Sequence, residues 1–151
     1  MPAGLGADSG QHLICQLSTI KSAAISPILL AMRFAHVGIS VADQVRSRRF
    51  YERYFGFDPD RARSYPDGTL ILRDADGFAL ALHPGNGAPD DEFLHFGYSC
   101  TDADQVRVLR ERLLAAAETL VEDEDTESFV TVKLIDPDGY RVEVFWEDLN
   151  S

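Results

Sequence analysis

The chain is short of cations, of cysteine and of long apolar runs, and each shortage excludes something. Fourteen Lys and Arg stand against twenty-five Asp and Glu, a formal net charge of -11 at pH 7. A surface of that sign repels a phosphate backbone, and no basic stripe with interleaved aromatics offsets it, so nucleic acid is not an expected partner. Two cysteines, Cys15 and Cys100, lie far apart, which suggests neither a C-x-x-C site nor a disulfide framework. A reducing, cytoplasmic setting is expected. The longest apolar stretch near the start, AAISPILLAM from Ala23 to Met32, is too short to span a bilayer, contains Pro27 and follows no basic n-region. Neither export nor a membrane span is expected.

What is present is a chain of 151 residues, 45% apolar, enough to build the core of one domain or of two small modules sharing one. Residues 1–31 show no sustained strand or helix period and are rich in small residues. They read as a disordered extension, or as one that translation from Met32 would omit. The patterned chain runs over 32–148.

That patterned part says nearly the same thing twice. RFAHVGISVADQVR begins at Arg33 and EFLHFGYSCTDADQVR at Glu92, each with H-x-G-x-S followed by DQVR. His36 pairs with His95 at an offset of 59, Asp43 with Asp104 at 61, and Asp74 with Asp136 at 62. The last pair opens DADGFALALH and DPDGYRVEVF, and D-G between apolar runs signals a hairpin. Each half therefore reads as strand, helix, then two or three strands, with module one at about 32–84 and module two at about 92–147.

In the first half the strand is Phe34 to Val41. Asp43 is a credible N-cap for a helix that turns Val45, Phe50, Tyr51 and Tyr54 to a core, and Gly56 supplies its stop. In the second half the strand is Phe93 to Cys100. A helix from about Asp104 carries Val106, Leu109, Leu113, Ala117 and Leu120 on one stripe. VEDEDTES, from Val121 to Ser128, reads as an acidic solvated loop rather than a second metal site.

Alternation along strands sorts the side chains. Ala35, Val37, Ile39 and Val41 share one face, and His36, Gly38 and Ser40 the other. Leu94, Phe96, Tyr98 and Cys100 oppose His95, Gly97 and Ser99, and Arg141, Glu143 and Phe145 share a face of the final strand. An inner sheet face would thus collect His36, His95 and Glu143, a familiar ligand set for iron(II), manganese(II) or zinc with positions left for water or substrate. Gly38 and Gly97 would leave room beside each histidine. Ser40 and Ser99 read as small residues of that face, and Tyr51, Tyr54 and Tyr140 as packing residues.

Three segments, HVGISVADQVRSRRFYERYFGF (His36 to Phe57), LHFGYSC (Leu94 to Cys100) and DPDGYRVEVFW (Asp136 to Trp146), resemble in order and spacing the vicinal oxygen chelate superfamily, over about residues 32–147. That group holds glyoxalase I, extradiol dioxygenases, fosfomycin-resistance enzymes and bleomycin-binding proteins. The resemblance implies an α+β fold of two βαβββ modules, whose eight strands form a cup-shaped mixed sheet with helices on the outer face. It implies His36 as the ligand from the first strand, His95 from the fifth and Glu143 from the eighth. The family's fourth ligand position falls on Ala81, which cannot bind a metal. This departs from glyoxalase I and resembles the three-ligand extradiol dioxygenase and fosfomycin-resistance arrangement. The latter usually has threonine where this chain has Gly38, and typical extradiol dioxygenases are about twice as long.

The expectation is therefore a small metal-dependent enzyme, extradiol dioxygenase-like rather than glyoxalase I-like, that chelates vicinal oxygens of a small-molecule substrate. The alternative is a metal-free drug-binding protein of the bleomycin-resistance type. An isomerase-like member would want a second carboxylate as base, and Ala81 does not supply one. No cofactor besides the metal is expected, and the resemblance implies a homodimer. His83 and Arg141 are the candidate catalytic residues. His83 shares the face of Ala81 and is a shifted ligand, an acid/base group or, with Pro84 and Gly85 ending the strand, a rim residue. Arg141 either holds an anionic substrate or is a solvated rim arginine.

Overall fold

In the computed structural model residues 33–149, Glu92 excepted, are described, and each half lays down one strand, one helix and three strands. The N-terminal extension, Cys15 and Met32 lie outside the described residues. Module one is β1 (His36–Val41), α1 (Gln44–Tyr54), β2 (Arg63–Ser64), β3 (Leu70–Arg73) and β4 (Ala79–Pro84). Module two is β5 (His95–Ser99), α2 (Ala103–Ala115), β6 (Leu120–Asp125), β7 (Phe129–Ile135) and β8 (Arg141–Glu147). The strand orders are β1-β4-β3-β2 and β5-β8-β7-β6, so the eight strands form two four-stranded mixed sheets of identical topology. No helix among the described residues is long and apolar enough to cross a membrane.

Local chemistry explains the helix ends. The Asp43 carboxylate accepts the N–H groups of Val45 and Arg46 at 2.9 and 3.1 Å, satisfying donors that the first turn cannot pair internally. After Tyr54 the chain reaches Gly56 at φ +72°, a left-handed residue that turns it away. In module two the cap is Asp102, not Asp104, because Asp102 accepts the Asp104 N–H at 2.7 Å. Cap to cap, the offset is 59, the same as between the histidines. The shared DQVR thus sits two residues deeper in α2 than in α1, roughly 200° around the helix. Val106 is accordingly buried at 1% exposure, whereas Val45, expected in the core, is 59% exposed and Ser47 is buried instead.

The acidic loop is also corrected: Leu120–Asp125 is the outer strand β6, paired antiparallel with β7. Backbone pairing outweighs its polar composition because its carboxylates find cations, Asp125 on Arg107 at 2.6 Å, Asp123 on Arg110 at 2.9 Å and Glu122 on Lys133 at 2.6 Å. The α2 stripe ends earlier than expected, since Ala117 takes φ +57° and Leu120 begins β6.

The helix-facing sides of both sheets make one core, with Leu80, Leu82 and Tyr51 from module one and Val132, Leu134 and Val142 from module two. The second D-x-D-G turn fastens the modules together. Asp136 accepts the Tyr51 hydroxyl at 2.6 Å, Asp138 accepts the Ala42 N–H at 2.8 Å and the Ser47 hydroxyl, and Tyr140 Oη accepts the Ser40 N–H at 2.9 Å. The connection between modules closes onto the same turn. Gly87, at φ +89°, lies so near it that a Cβ there would come within 2.5 Å of the Asp138 carbonyl oxygen. Gly87→Ala is expected to cost about 2–3 kcal/mol, combining left-handed strain with that clash, and thermal unfolding checks it.

Candidate metal centre

Register shows that the repeat is a repeat of positions. Gly38 stands opposite Ala81 across β1 and β4, and Gly97 stands opposite Glu143 across β5 and β8. Ala81 and Glu143 are therefore equivalent sites, as are Ala79 and Arg141, and His83 and Phe145. The face away from the core includes His36, Gly38, Ser40, Ala79, Ala81 and His83 in module one, and His95, Gly97, Ser99, Arg141, Glu143 and Phe145 in module two, by the period of two.

On module two this face builds a pair. His95 Nε2 lies 3.4 Å from Glu143 Oε2. The other imidazole nitrogen, Nδ1, is 2.8 Å from the carbonyl oxygen of Phe93. A carbonyl can only accept, so Nδ1 carries a proton, and in the neutral imidazole Nε2 presents its lone pair to the carboxylate. Two electron-pair donors facing each other need a cation or a second proton between them. The other oxygen of Glu143, Oε1, accepts the hydroxyl of Thr131 at 3.0 Å, and Thr131 is only 1% exposed, so the carboxylate is aimed by a fixed donor. Two ligands about 2.1 Å from one ion and near-tetrahedrally disposed stand roughly 3.4 Å apart, so the spacing fits a shared divalent metal.

His36 is not with them. It is exposed on β1 and borders a separate depression of about 300 Å³ with Ala35, Ile71, Arg73, Gly77, Ala79 and Ala81. Among the described residues no group of three or more His, Cys, Asp or Glu within one chain could hold a metal ion. One chain thus brings together two of the three expected ligands. β1 and β5, which carry the two histidines, are each the border strand of their sheet.

His83 is more than a rim residue in one respect, for its ring is held. Its Nδ1 lies 3.0 Å from Thr69 Oγ1 and its Nε2 leans over Gly38, where a Cβ would come within 3.1 Å. Gly38 therefore makes room for His83. Gly97 is less constrained, since a Cβ there would make only ordinary 3.5 Å contacts with Glu143 and Phe145. Asp67 hydrogen-bonds to the Thr69 N–H and hydroxyl, which hold its carboxyl below the usual carboxylate range.

Arg141 is half-buried and reaches the Asp91 carbonyl at 3.1 Å. It lines an open depression of about 440 Å³ with Phe93, His95, Val121, Glu122 and Lys133. Sequence reasoning missed Thr131 and Lys133. The signal was there in FVTVKLI, whose Val130, Val132 and Leu134 are buried on one face and leave Thr131 and Lys133 on the ligand face. Cys100 stands on the core side of β5, half-buried, and burial pushes its thiol pKa up.

Comparison with known proteins adds a family. Residues 33–144 match the model of the Glyoxalase/Bleomycin resistance protein/Dioxygenase superfamily. A probable trivalent organoarsenical cleaving enzyme of Bacillus subtilis (strain 168) is 27% identical over 124 residues, 80% of this chain and 84% of that protein. The structure of a possible glyoxalase from Bacillus cereus superposes with a TM-score of 0.64 at 28% identity, over 76% of this chain and 98% of the other. The fosfomycin resistance protein FosX from Listeria monocytogenes shares the fold, with a TM-score of 0.67 at 14% identity, over 79% of this chain and 96% of its own. With the family model spanning both modules and the fold matched throughout, the chain belongs to the glyoxalase/bleomycin resistance protein/dioxygenase superfamily.

Proposed function

We propose that this chain is the subunit of a metal-dependent enzyme that chelates vicinal oxygens of a small molecule on a divalent ion held by His95 and Glu143 of one copy and His36 of a second. The observation that carries the reading is the His95–Glu143 pair, an imidazole nitrogen whose ring is held by the Phe93 carbonyl, set 3.4 Å from a carboxylate that Thr131 orients. The second copy follows from the edges. β1 and β5 are border strands bearing His36 and His95, and a two-fold pair can lay β1 of each copy against β5 of the other, forming two equal sites. FosX, a relative in fold, has been solved complexed with Mn(II).

A divalent ion in this site would supply Lewis acidity towards the two substrate oxygens. The chain's own groups do the rest. His95 and Glu143 are held in position before any ligand arrives, so little ordering is left to be done on binding. His83, its ring held at Nδ1 by the Thr69 hydroxyl, would use Nε2 to exchange a proton with the substrate. Ala81 leaves the fourth ligand position open, which favours a three-ligand, dioxygenase-like site over a glyoxalase I-like one. The Bacillus subtilis relative is described as cleaving trivalent organoarsenicals. Trivalent arsenic is a soft centre that favours thiolates, and the described thiol, Cys100, packs against the core just past the end of β5, away from His95, which favours oxygen chelation.

Metal analysis of protein purified without chelators tests this. Wild type is expected to carry about one first-row metal per chain, lost in both Glu143→Ala and His95→Ala. Full occupancy in both variants would overturn the site. A metal-free wild type that binds bleomycin tightly would establish the drug-binding alternative instead. Oxygen consumption by iron(II)-loaded protein across a panel of catechols checks the dioxygenase assignment, and no uptake with any of them would count against it.

A further inference from the structure

We infer that the ligand face of module two reads one negative charge on the substrate, with Arg141 as the seat of a carboxylate. The substrate class is then a small monoanion with an apolar body and vicinal oxygens. This rests on the metal-chelation reading and adds to it. Two cations line the depression beside His95, and they are not equivalent. Lys133 is already neutralised by Glu122 at 2.6 Å. Arg141 meets a backbone carbonyl, that of Asp91, and no carboxylate among the described residues. A guanidinium has five N–H donors, so most of its fork is left to face the depression, and a planar carboxylate matches that fork with two parallel hydrogen bonds.

Among the described residues lining the depression Arg141 is the one cation without a carboxylate partner, so the seat beside the metal takes a single negative charge. The spacing also fixes where the charge must sit. Arg141 and Glu143 are two residues apart on one face of β8, roughly 6–7 Å, and Arg141 stands opposite His95 across the β5–β8 pair. A substrate whose two oxygens are chelated by an ion held between His95 and Glu143 therefore places a carboxylate on Arg141 across a body about the size of one benzene ring. Phe93 and Val121, both exposed apolar side chains, supply walls for that body.

The test compares two probes that share a diol and differ in charge, 3,4-dihydroxybenzoate and catechol, by calorimetric titration of zinc-loaded protein, with zinc content measured on the same samples. Wild type is expected to bind the carboxylated diol at least roughly tenfold more tightly, and Arg141→Gln to bring the two probes to parity while zinc content stays at the wild-type level. Equal affinities in wild type, or a preference that survives Arg141→Gln, would overturn the inference and leave the metal reading standing. A protein that takes up no zinc would overturn the metal reading instead. In that event benzoate is compared with benzyl alcohol: benzoate binding that Arg141→Gln removes supports the carboxylate seat, and absence of benzoate binding overturns it.

Discussion

Asp136→Ala is expected to lower the unfolding free energy by about 3–5 kcal/mol, the largest effect of any single substitution proposed for this chain. Asp136 is 4% exposed and accepts three hydrogen bonds, from the Tyr51 hydroxyl at 2.6 Å and from the N–H groups of Asp138 and Tyr140 at 2.9 and 2.8 Å. Alanine would strand the Tyr51 hydroxyl and the Tyr140 N–H, both buried, and leave the part-buried Asp138 N–H without its acceptor; Tyr51 itself is fully buried. The loss would fall on the joint between the modules, because Tyr51 belongs to α1 and Asp136 to the turn before β8. Denaturant unfolding checks the magnitude. Asp136→Asn keeps an acceptor for the backbone donors, and the Tyr51 hydroxyl can rotate to accept from the new amide, so it should cost much less.

The same pair of variants gives a pH signature. Burial holds the Asp136 carboxyl above its ordinary value of 3.8, against the pull of its hydrogen bonds with Tyr51, Tyr140 and Asp138. A carboxyl with a higher pKa folded than unfolded opposes folding above its folded pKa, and that opposition is relieved as pH falls through it towards 3.8. Wild type should therefore gain stability relative to Asp136→Asn on acidification across that window. A difference between the two that stays flat with pH would show that Asp136 is not the group responsible.

Mixing two inactive partners should restore metal binding. His36→Ala and Glu143→Ala each damage both sites of a two-copy assembly, but in a mixed pair the intact His36 of one chain meets the intact His95 and Glu143 of the other. Random pairing makes half the assemblies mixed, each with one whole site of two, so co-expressed variants should recover about a quarter of the wild-type chelator-resistant metal. Recovery no greater than the mean of the two variants alone would show that each site is built within one chain, or not built at all. The geometry favours recovery, since His36 borders one depression and His95 another.

Most of the fold could be read from the repeat, because hydrophobic alternation and D-G turns act over a few residues and are written into them. The two D-x-D-G turns do form alike, each with its first aspartate accepting the N–H four residues on, in Phe78 and Tyr140, at 2.8 Å. The equivalence of Ala81 with Glu143 was legible for the same reason. DQVR misled because identical letters carry no information about phase. What decides phase is which aspartate caps the helix, and Asp102 competes with Asp104 only once the preceding strand has ended. The acidic strand was hidden because its composition is that of a loop, while the cations that make it tolerable lie on α2 and β7. That His95 and Glu143 share a face followed from parity along single strands. Where His36 goes did not, because alternation assigns a face and says nothing of which sheet, in which copy, that face will meet.

The outer edge of module two bears on how far such copies can go on joining. β6 ends in Glu122, Asp123, Glu124 and Asp125, four carboxylates in succession along a border strand. Asp125, Asp123 and Glu122 are already held by Arg107, Arg110 and Lys133, so a second copy pairing along this edge would crowd three ion pairs and the further carboxylate of Glu124, in a chain whose net charge is -11. β2, the outer edge of module one, is only two residues long. Sheet growth is thus blunted at both outer margins, so the proposed assembly through β1 and β5 would stop at a closed pair instead of running on into a fibre.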